Sequence, residues 1–195
     1  HKKPMDLKII TKETLKLLRS TTPSNIDINF NIANLPFTID GDPTQMHQII
    51  MNLCTNAAHA MGEKGGVLNV RLSQEDLSLP EAADLHLKPG GYVLLSISDT
   101  GCGIEPAIID RIFDPFFTTK KIGEGTGLGL SVVYGIVKNH EGHVQVQSVP
   151  GEGTTFNIYL PYLNVTQSSL AEASGVETVP GGQEHILFVD DEKQL

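Results

Sequence analysis

A row of neutral polar side chains follows one predicted helix at spacings of three and four residues. The segment from Asp42 to Met61 begins with a capping aspartate and Pro43 and ends before Gly62, which predicts a helix. One stripe of this helix is apolar and predicts the face that packs in the core. It consists of Met46, Ile49, Ile50, Leu53, Ala57 and Met61. The members of the second stripe are Gln45, Gln48, Asn52, Asn56 and His59. Asparagine is unfavourable inside helices, so this stripe is either a solvated face or a row of ligands for a metal-bound phosphate.

Two short motifs could bind a base or a hydroxyl group. In "SDTGCGI", Asp99 ends a predicted strand and is followed by Gly101 and Gly103. A carboxylate there can accept a hydrogen bond from an exocyclic amine, although the same pattern also occurs in ordinary turns. In "GEGTTF", residues 151–156, Thr154 places a hydroxyl beside a tight turn, and by itself this motif predicts only a hairpin.

The glycine-dense stretch "GEGTGLGLSVVYG", residues 123–135, predicts a loop that approaches phosphate closely. It follows a cluster of three phenylalanines and two lysines, "FDPFFTTKK". The Walker pattern GxxxxGK[ST], the dinucleotide pattern GxGxxG and the protein-kinase signatures are absent. We therefore expect a mobile loop that becomes a helix N-terminus near Leu128, with free N–H groups directed at anionic oxygens.

These motifs occur in a specific order, and in that order the chain resembles the catalytic and ATP-binding domain of sensor histidine kinases. The boxes of that family are called N, G1, F, G2 and G3, and the resemblance covers about residues 35–161. The segments "NLCTNAAHAM" and "FDPFFTTK…GTGLGLSVV" are most similar to the nitrogen-regulatory and hybrid sensor branch of that family. The resemblance implies the Bergerat ATP-binding fold shared with gyrase, a heat-shock chaperone and MutL proteins, with ATP and Mg²⁺ as cofactors.

Site residues follow from the resemblance by position. Asn56 is implied as the Mg²⁺ ligand, with Asn52 one turn earlier, and these two are the expected catalytic residues. His59 is implied near the phosphates, and Asp99 as the acceptor of the adenine amine. Close approach to the base is implied for Gly101 and Gly103, and a water-mediated adenine contact for Thr154.

The ATP lid is implied over about residues 104–127, with Lys120 as a phosphate contact. The residues implied along the triphosphate are Gly125, Thr126, Gly127, Leu128 and Gly129. ATP-hydrolysing relatives have a glutamate where this chain has Asn52, and an amide cannot act as a general base. The resemblance therefore favours the kinase branch, in which the nucleophile is a histidine on another domain.

The alternation of strands and helices predicts an α+β fold, a two-layer sandwich whose mixed sheet is covered on one face by helices. We expect an N-terminal helix over 1–24, the catalytic domain over 25–162 and a linker over 163–183. The last residues, 184–195, contain "HILFVDDE" and resemble the first strand of a response-regulator receiver domain, truncated in this chain. The segment 73–91 is expected to be a polar connection between two strands.

Composition excludes several classes of function. The net charge of −9 disfavours a nucleic-acid partner, and no apolar run is long enough to span a membrane, so direct membrane contact is not expected. Two isolated cysteines fit a reducing, cytoplasmic compartment.

The sequence therefore favours a kinase that transfers the γ-phosphoryl of ATP to a histidine on a dimerisation domain, with a receiver domain or response regulator as a further partner. No segment of the H-E-x-x-x-P type is visible, so we expect this chain to bind ATP without phosphorylating itself. Two alternatives stay open: a nucleotide-driven ATPase switch of the same superfamily, and a non-catalytic nucleotide-binding module.

Overall fold

The computed structural model describes residues 2–33, 35–120 and 125–163. Its strands are β1 (Lys3–Asp6), β2 (Ile26–Ile32), β3 (Thr38–Gly41), β4 (Gly66–Leu77), β5 (Gly90–Asp99), β6 (His143–Val149) and β7 (Gly153–Pro161). Its α-helices are α1 (Leu7–Thr21), α2 (Pro43–Met61), α3 (Leu79–Asp84) and α4 (Gly129–Asn139). Short 3₁₀ helices span Gly62–Lys64 and Pro106–Arg111. Except for residue 163, the predicted linker and receiver strand lie outside the described residues.

A five-stranded mixed sheet forms the centre of the fold, with the strand order β2-β4-β5-β7-β6. Strands β2 and β4 are parallel, and the other neighbours are antiparallel. A parallel pair requires a crossover connection, and here α2 lies within that connection. The predicted α+β class with a mixed sheet is therefore confirmed. Strands β1 and β3 form a separate antiparallel pair that the sequence did not predict.

Helix α2 forms where its sequence predicts it. The Asp42 carboxylate accepts hydrogen bonds from the N–H groups of Thr44 (2.9 Å) and Gln45 (3.3 Å), and the helix ends at Gly62. All six residues of the predicted apolar stripe are buried, and Cys54 is buried with them. Since this stripe faces the sheet, the polar stripe of α2 is left to face away from the core.

The prediction of a polar connection over 73–91 is wrong. Strand β4 continues to Leu77, and α3 follows it. Buried Leu77, Ala82 and Tyr92 form a small second cluster there. Successive strand residues point to opposite faces, so Tyr92 lies on the face opposite to Val93 of the main core. Helices α1, α2 and α4 thus cover one face as predicted, and α3 covers one end of the other face.

Candidate functional site

Asp99 lies at the end of the central strand β5, and the residue is buried, with 7 % of its surface exposed. Its Oδ1 accepts a hydrogen bond of 2.8 Å from the N–H of Gly101. Burial raises the pKa of this carboxyl above its usual value, and hydrogen bonds from the backbone N–H groups of Gly101 and Thr154 act in the opposite direction. The arrangement holds a poorly solvated acceptor in a fixed orientation.

The turn after Asp99 packs directly against the last turn of α2. The N–H of Cys102 donates to the carbonyl oxygen of Ala60 at 3.0 Å. A Cβ atom at Gly101 would lie 2.7 Å from Asp99 Oδ1 and 2.7 Å from the Ala60 backbone, so any larger residue here would clash and force the turn away from α2. Gly103 adopts φ +70° in the same turn. The sheet and α2 are joined at this point.

Thr154 is buried beside Asp99 because β5 and β7 pair these two residues directly. Its hydroxyl lies 2.9 Å from the hydroxyl of Ser148. Ser148 accepts the N–H of Ile104 at 2.8 Å and donates to the carbonyl of Gly153 at 3.0 Å. Ser148 therefore connects the Asp99 turn to the β6–β7 hairpin, and sequence reasoning missed it. Its only signal was a hydroxyl at the end of a predicted strand.

The polar stripe of α2 faces the start of α4. A Cβ atom at Gly129 would lie 3.2 Å from Asn52 Oδ1 and 3.9 Å from Asn56 Nδ2. The glycine thus allows the N-terminus of α4 to come within contact distance of both amides. A helix N-terminus presents unpaired N–H groups and a partial positive charge.

Lys120 reaches the same stripe from the other side. Its Nζ donates to Asn56 Oδ1 at 3.4 Å and lies 2.5 Å from Nδ1 of His59. The structure therefore brings together five of the predicted site residues on this side of α2: Asn52, Asn56, His59, Lys120 and Gly129.

The remaining predicted residues lie in the loop before α4. The N–H of Phe116 donates to the carbonyl of Gly127 at 3.0 Å, which closes the base of this loop. Gly125 lies beside Lys120, and the Thr126 hydroxyl accepts the N–H of Leu128 at 3.3 Å. Leu128 is 38 % exposed. Residues 121–124, at the centre of the loop, are outside the described ranges.

Two groups of candidate ligands thus flank the C-terminal half of α2. One is the Asp99–Thr154 pair, which offers a fixed acceptor, and the other is the Asn52–Asn56 pair with Lys120. Among the described residues, no group of three or more His, Cys, Asp or Glu side chains could hold a metal ion. A metal at this site would therefore depend on the amide oxygen of Asn56, and on oxygens that a ligand supplies.

Comparison with known protein families gives a match over most of this fold. Residues 41–164 match the family described as "Histidine kinase-, DNA gyrase B-, and HSP90-like ATPase". The chain belongs to this family. The matched region begins just before α2 and includes both groups of candidate ligands, and the resemblance stated from the sequence motifs is confirmed.

Curated relatives within the family include sensor kinases. Sensor kinase CckA of Brucella abortus is 35 % identical over an alignment that covers 96 % of this chain and 21 % of that protein. Sensor histidine kinase ZraS of Escherichia coli K12 is 37 % identical, over 84 % of this chain and 31 % of that protein. The chain therefore spans between a fifth and a third of these relatives.

Solved structures of histidine kinases share the fold. The mycobacterial sensor histidine kinase MprB superposes with a TM-score of 0.67 at 27 % identity, over 83 % of this chain and 98 % of that chain. Full-length ShkA in complex with AMPPNP gives a TM-score of 0.67 at 28 % identity, over 83 % of this chain and 31 % of that chain. Among the described residues, no helix is long and apolar enough to cross a membrane.

Proposed function

We propose that this chain is the ATP-binding catalytic domain of a bacterial hybrid sensor histidine kinase. The observation that carries the proposal is the convergence of a fixed carboxylate, a pair of helix amides and a lysine from a glycine loop around one helix, α2. Family membership and the AMPPNP bound to the related ShkA support ATP as the ligand.

Adenine would bind at Asp99. An ionised carboxylate accepts hydrogen bonds only, so it selects a ligand edge with an N–H donor such as the exocyclic amine. One carboxylate oxygen already accepts from Gly101, which fixes the plane of the group. The buried hydroxyl of Thr154 lies next to the carboxylate and would hold a bridging water for the base.

The triphosphate would lie between the α2 amides and the glycine loop. The residue suited to hold Mg²⁺ is Asn56, whose Oδ1 already accepts from a cation, the Lys120 ammonium. Mg²⁺ would supply the positive charge that phosphoryl transfer requires. Lys120 would move from Asn56 to a phosphate oxygen, and the N–H groups at the start of α4, next to Gly129, would bind another.

The phosphoryl acceptor would be a histidine on a dimerisation domain outside this chain. The side chain at position 52, which faces α4, is an amide and cannot activate water, so the site favours transfer over hydrolysis. We further propose the domain division given by the sequence: the catalytic domain over 25–162, a linker over 163–183 and the first strand of a receiver domain over 184–195. A receiver domain or response regulator is then the next partner, and the protein acts in the bacterial cytoplasm.

A binding and transfer experiment tests this function. The chain is titrated with ATP and Mg²⁺ in a calorimeter, and is then mixed with a separate histidine-containing dimerisation domain and labelled ATP. Asn56→Asp should abolish metal-dependent binding and histidine labelling, because it alters the Mg²⁺ ligand. Asn69→Asp adds the same charge at an exposed position of β4, and it should change neither ATP binding nor histidine labelling.

The alternative functions give different results in the same experiment. Steady ATP hydrolysis that disappears in Asn52→Ala would indicate an ATPase switch rather than a kinase. Tight ATP binding without labelling of any histidine would indicate a non-catalytic binding module. Labelling that survives in Asn56→Asp would show that the site residues are assigned wrongly.

A further inference from the structure

A groove separates helix α1 from the edge strand β2, on the side of the fold away from the candidate nucleotide site. Its volume is about 400 Å³. It is lined by Lys12, Leu15, Lys16, Arg19, Ile28 and Phe30. The lining thus consists of three basic and three apolar side chains, without an acidic residue.

The basic side chains form one stripe on α1. Lys12, Lys16 and Arg19 are spaced by four and three residues, which places them on the same side of a helix. The Arg19 guanidinium donates to the carbonyl of Ile28 at 3.2 Å. In the part of the chain that the structure describes, no hydrogen bond or ion pair involves the side chains of Lys12 and Lys16.

The positive charge of this stripe is opposite in sign to the net charge of the whole chain. Helix α1 contains four of the 14 Lys and Arg residues, Lys8 and the three of the stripe, and one acidic residue, Glu13. The whole chain contains 23 acidic residues and has a net charge of −9. Electrostatic attraction of an acidic partner would therefore be concentrated on α1.

The floor of the groove is apolar. Leu15 lies at the bottom and is 7 % exposed, while Phe30 remains 36 % exposed although it is a large aromatic residue. Ile28 and Phe30 are two positions apart on β2 and so point to the same face of the sheet as the buried Ile26. An aromatic ring beside three cations is suited to pack against an apolar side chain of a partner.

We propose that this groove binds an acidic amphipathic helix of a partner protein. Two turns of helix separate Lys12 from Arg19, about 10 Å at 1.5 Å per residue. A helix that repeats acidic residues at the same spacing would face all three cations, and its apolar stripe would cover Leu15, Ile28 and Phe30. Charge complementarity and the apolar floor thus select the same kind of ligand.

An added β-strand fits less well, although β2 is an edge strand. The Arg19 side chain already occupies the outward carbonyl of Ile28, which blocks part of that edge. The Phe30 side chain, which also lines the groove, projects from a face of the sheet, so a strand that pairs with the edge would not cover it. A helix lying in the groove avoids both obstacles.

Partner binding would leave the candidate nucleotide site intact. On α2, His47 faces α1, with its Nδ1 2.5 Å from the hydroxyl of Thr14. Asn52 and Asn56 face α4 instead, on another side of α2. Variants in the groove can therefore be tested for partner binding while ATP binding serves as the measure of correct folding.

The test uses the full chain and a fluorescein-labelled helical peptide of about 18 residues. Its glutamates are placed to match Lys12, Lys16 and Arg19, and leucines form the adjacent stripe. Two control peptides have lysine in place of each glutamate, or the same residues in scrambled order. Fluorescence anisotropy should show binding of the designed peptide alone, and added salt should weaken it.

Variants of the chain locate the binding site. Lys16→Glu should weaken peptide binding about 30-fold, and Phe30→Ser about 10-fold, because one reverses a facing charge and the other removes apolar contact. Lys88→Glu is the matched control, an exposed lysine elsewhere, and should change the affinity less than about twofold. All three variants should bind ATP as the unaltered chain does.

Four results would overturn the proposal. The scrambled peptide could bind as well as the designed one, or Lys16→Glu could bind the designed peptide unchanged. The same groove variants could instead abolish binding to vesicles that contain phosphatidylserine, with no effect on the peptide, which would assign the groove to a membrane surface. Dimerisation that is lost in Phe30→Ser would assign it to a second copy of the chain.

Discussion

The ammonium of Lys120 lies 3.4 Å from the amide oxygen of Asn56. This contact joins the loop before α4 to the C-terminal half of α2, across 64 positions of sequence. The same ammonium is 2.5 Å from Nδ1 of His59. One cation therefore contacts two members of the polar stripe of α2, at the position where we propose that the phosphates of ATP bind.

Replacing Lys120 should weaken nucleotide binding and leave the fold intact. Lys120→Ala should lower ATP affinity about 10-fold, because a charge-assisted hydrogen bond to phosphate is lost. Isothermal titration calorimetry measures this, and Lys88→Ala serves as the control for loss of an exposed lysine. Equal ATP affinity in Lys120→Ala and the unaltered chain would limit Lys120 to holding the loop against α2.

Asp99 should make ATP binding and stability respond to pH in opposite directions. Burial raises the pKa of its carboxyl. ATP binding needs the ionised acceptor, so affinity should fall as pH decreases through this raised pKa. For stability the sign is reversed: protonation favours the folded state, and this contribution is lost as pH rises through the folded-state pKa.

Asp99→Asn separates the two effects. The variant should lose about 10- to 100-fold in ATP affinity near pH 7, since an amide presents donors where the acceptor is needed. Urea unfolding between about pH 4 and about pH 7 should show that the unaltered chain loses stability relative to Asp99→Asn as pH rises. A stability difference that stays constant over this range would show that the buried carboxyl does not titrate there.

The sequence predicted the elements whose signals are local. Helix α2 carries its own cap at Asp42, a glycine stop and two stripes at helical spacing, and each of these is present in the structure. The short strands β1 and β3 have four residues each, too few to show a period of two. Helix α3 was missed although its start has a local signal, a capping box formed by Ser78 and Glu81. The helix has only 6 residues, and its few apolar residues are buried only where Leu77 and Tyr92 from two strands meet beside it.

The candidate site was predictable as a set of residue types but not as a set of contacts. The order of the motifs selected Asn56, Asp99 and Thr154. The contact between Thr154 and Ser148 depends on the register of β6 against β7, which pairs these two residues. Strand register and the position of Lys120 both depend on contacts between residues far apart in the sequence. A local sequence pattern carries no information about such contacts.

Gly127 should be required at the base of the loop before α4. It adopts φ +66°, and a Cβ atom there would lie 2.4 Å from the backbone carbonyl carbon of Phe116. Gly127→Ala should break the hydrogen bond between these residues, increase proteolysis of the loop and lower ATP affinity. Limited proteolysis and calorimetry measure both effects.

A second glycine provides the matched control. Gly151 adopts φ +83° in the β6–β7 turn, but a Cβ atom there would meet nothing within 4 Å. Gly151→Ala should therefore cost only the backbone strain, about 1 kcal/mol in urea unfolding, and leave the loop resistant to protease. Comparable proteolysis of both variants would show that steric contact with Phe116 is not what closes the loop.

The two cysteines should differ in reactivity and report on ligand binding. Cys54 is fully buried on α2, and burial raises the pKa of its thiol to about 12. Cys102 is exposed in the turn after Asp99. A thiol-disulfide reagent at about pH 8 should therefore modify one thiol in the native chain and two after unfolding, and Cys102→Ser should leave none reactive in the native chain.

Saturating ATP and Mg²⁺ should slow modification of Cys102 in proportion to site occupancy, because Cys102 lies between Gly101 and Gly103 beside the proposed adenine acceptor. Asp99→Asn keeps the thiol and the turn but lacks that acceptor, so its Cys102 should need an ATP concentration about 10- to 100-fold higher for the same protection. Protection that persists in Asp99→Asn would mean that ATP shields Cys102 without using the carboxylate. Adenine would then have to be recognised beside this turn by groups other than the Asp99 carboxylate.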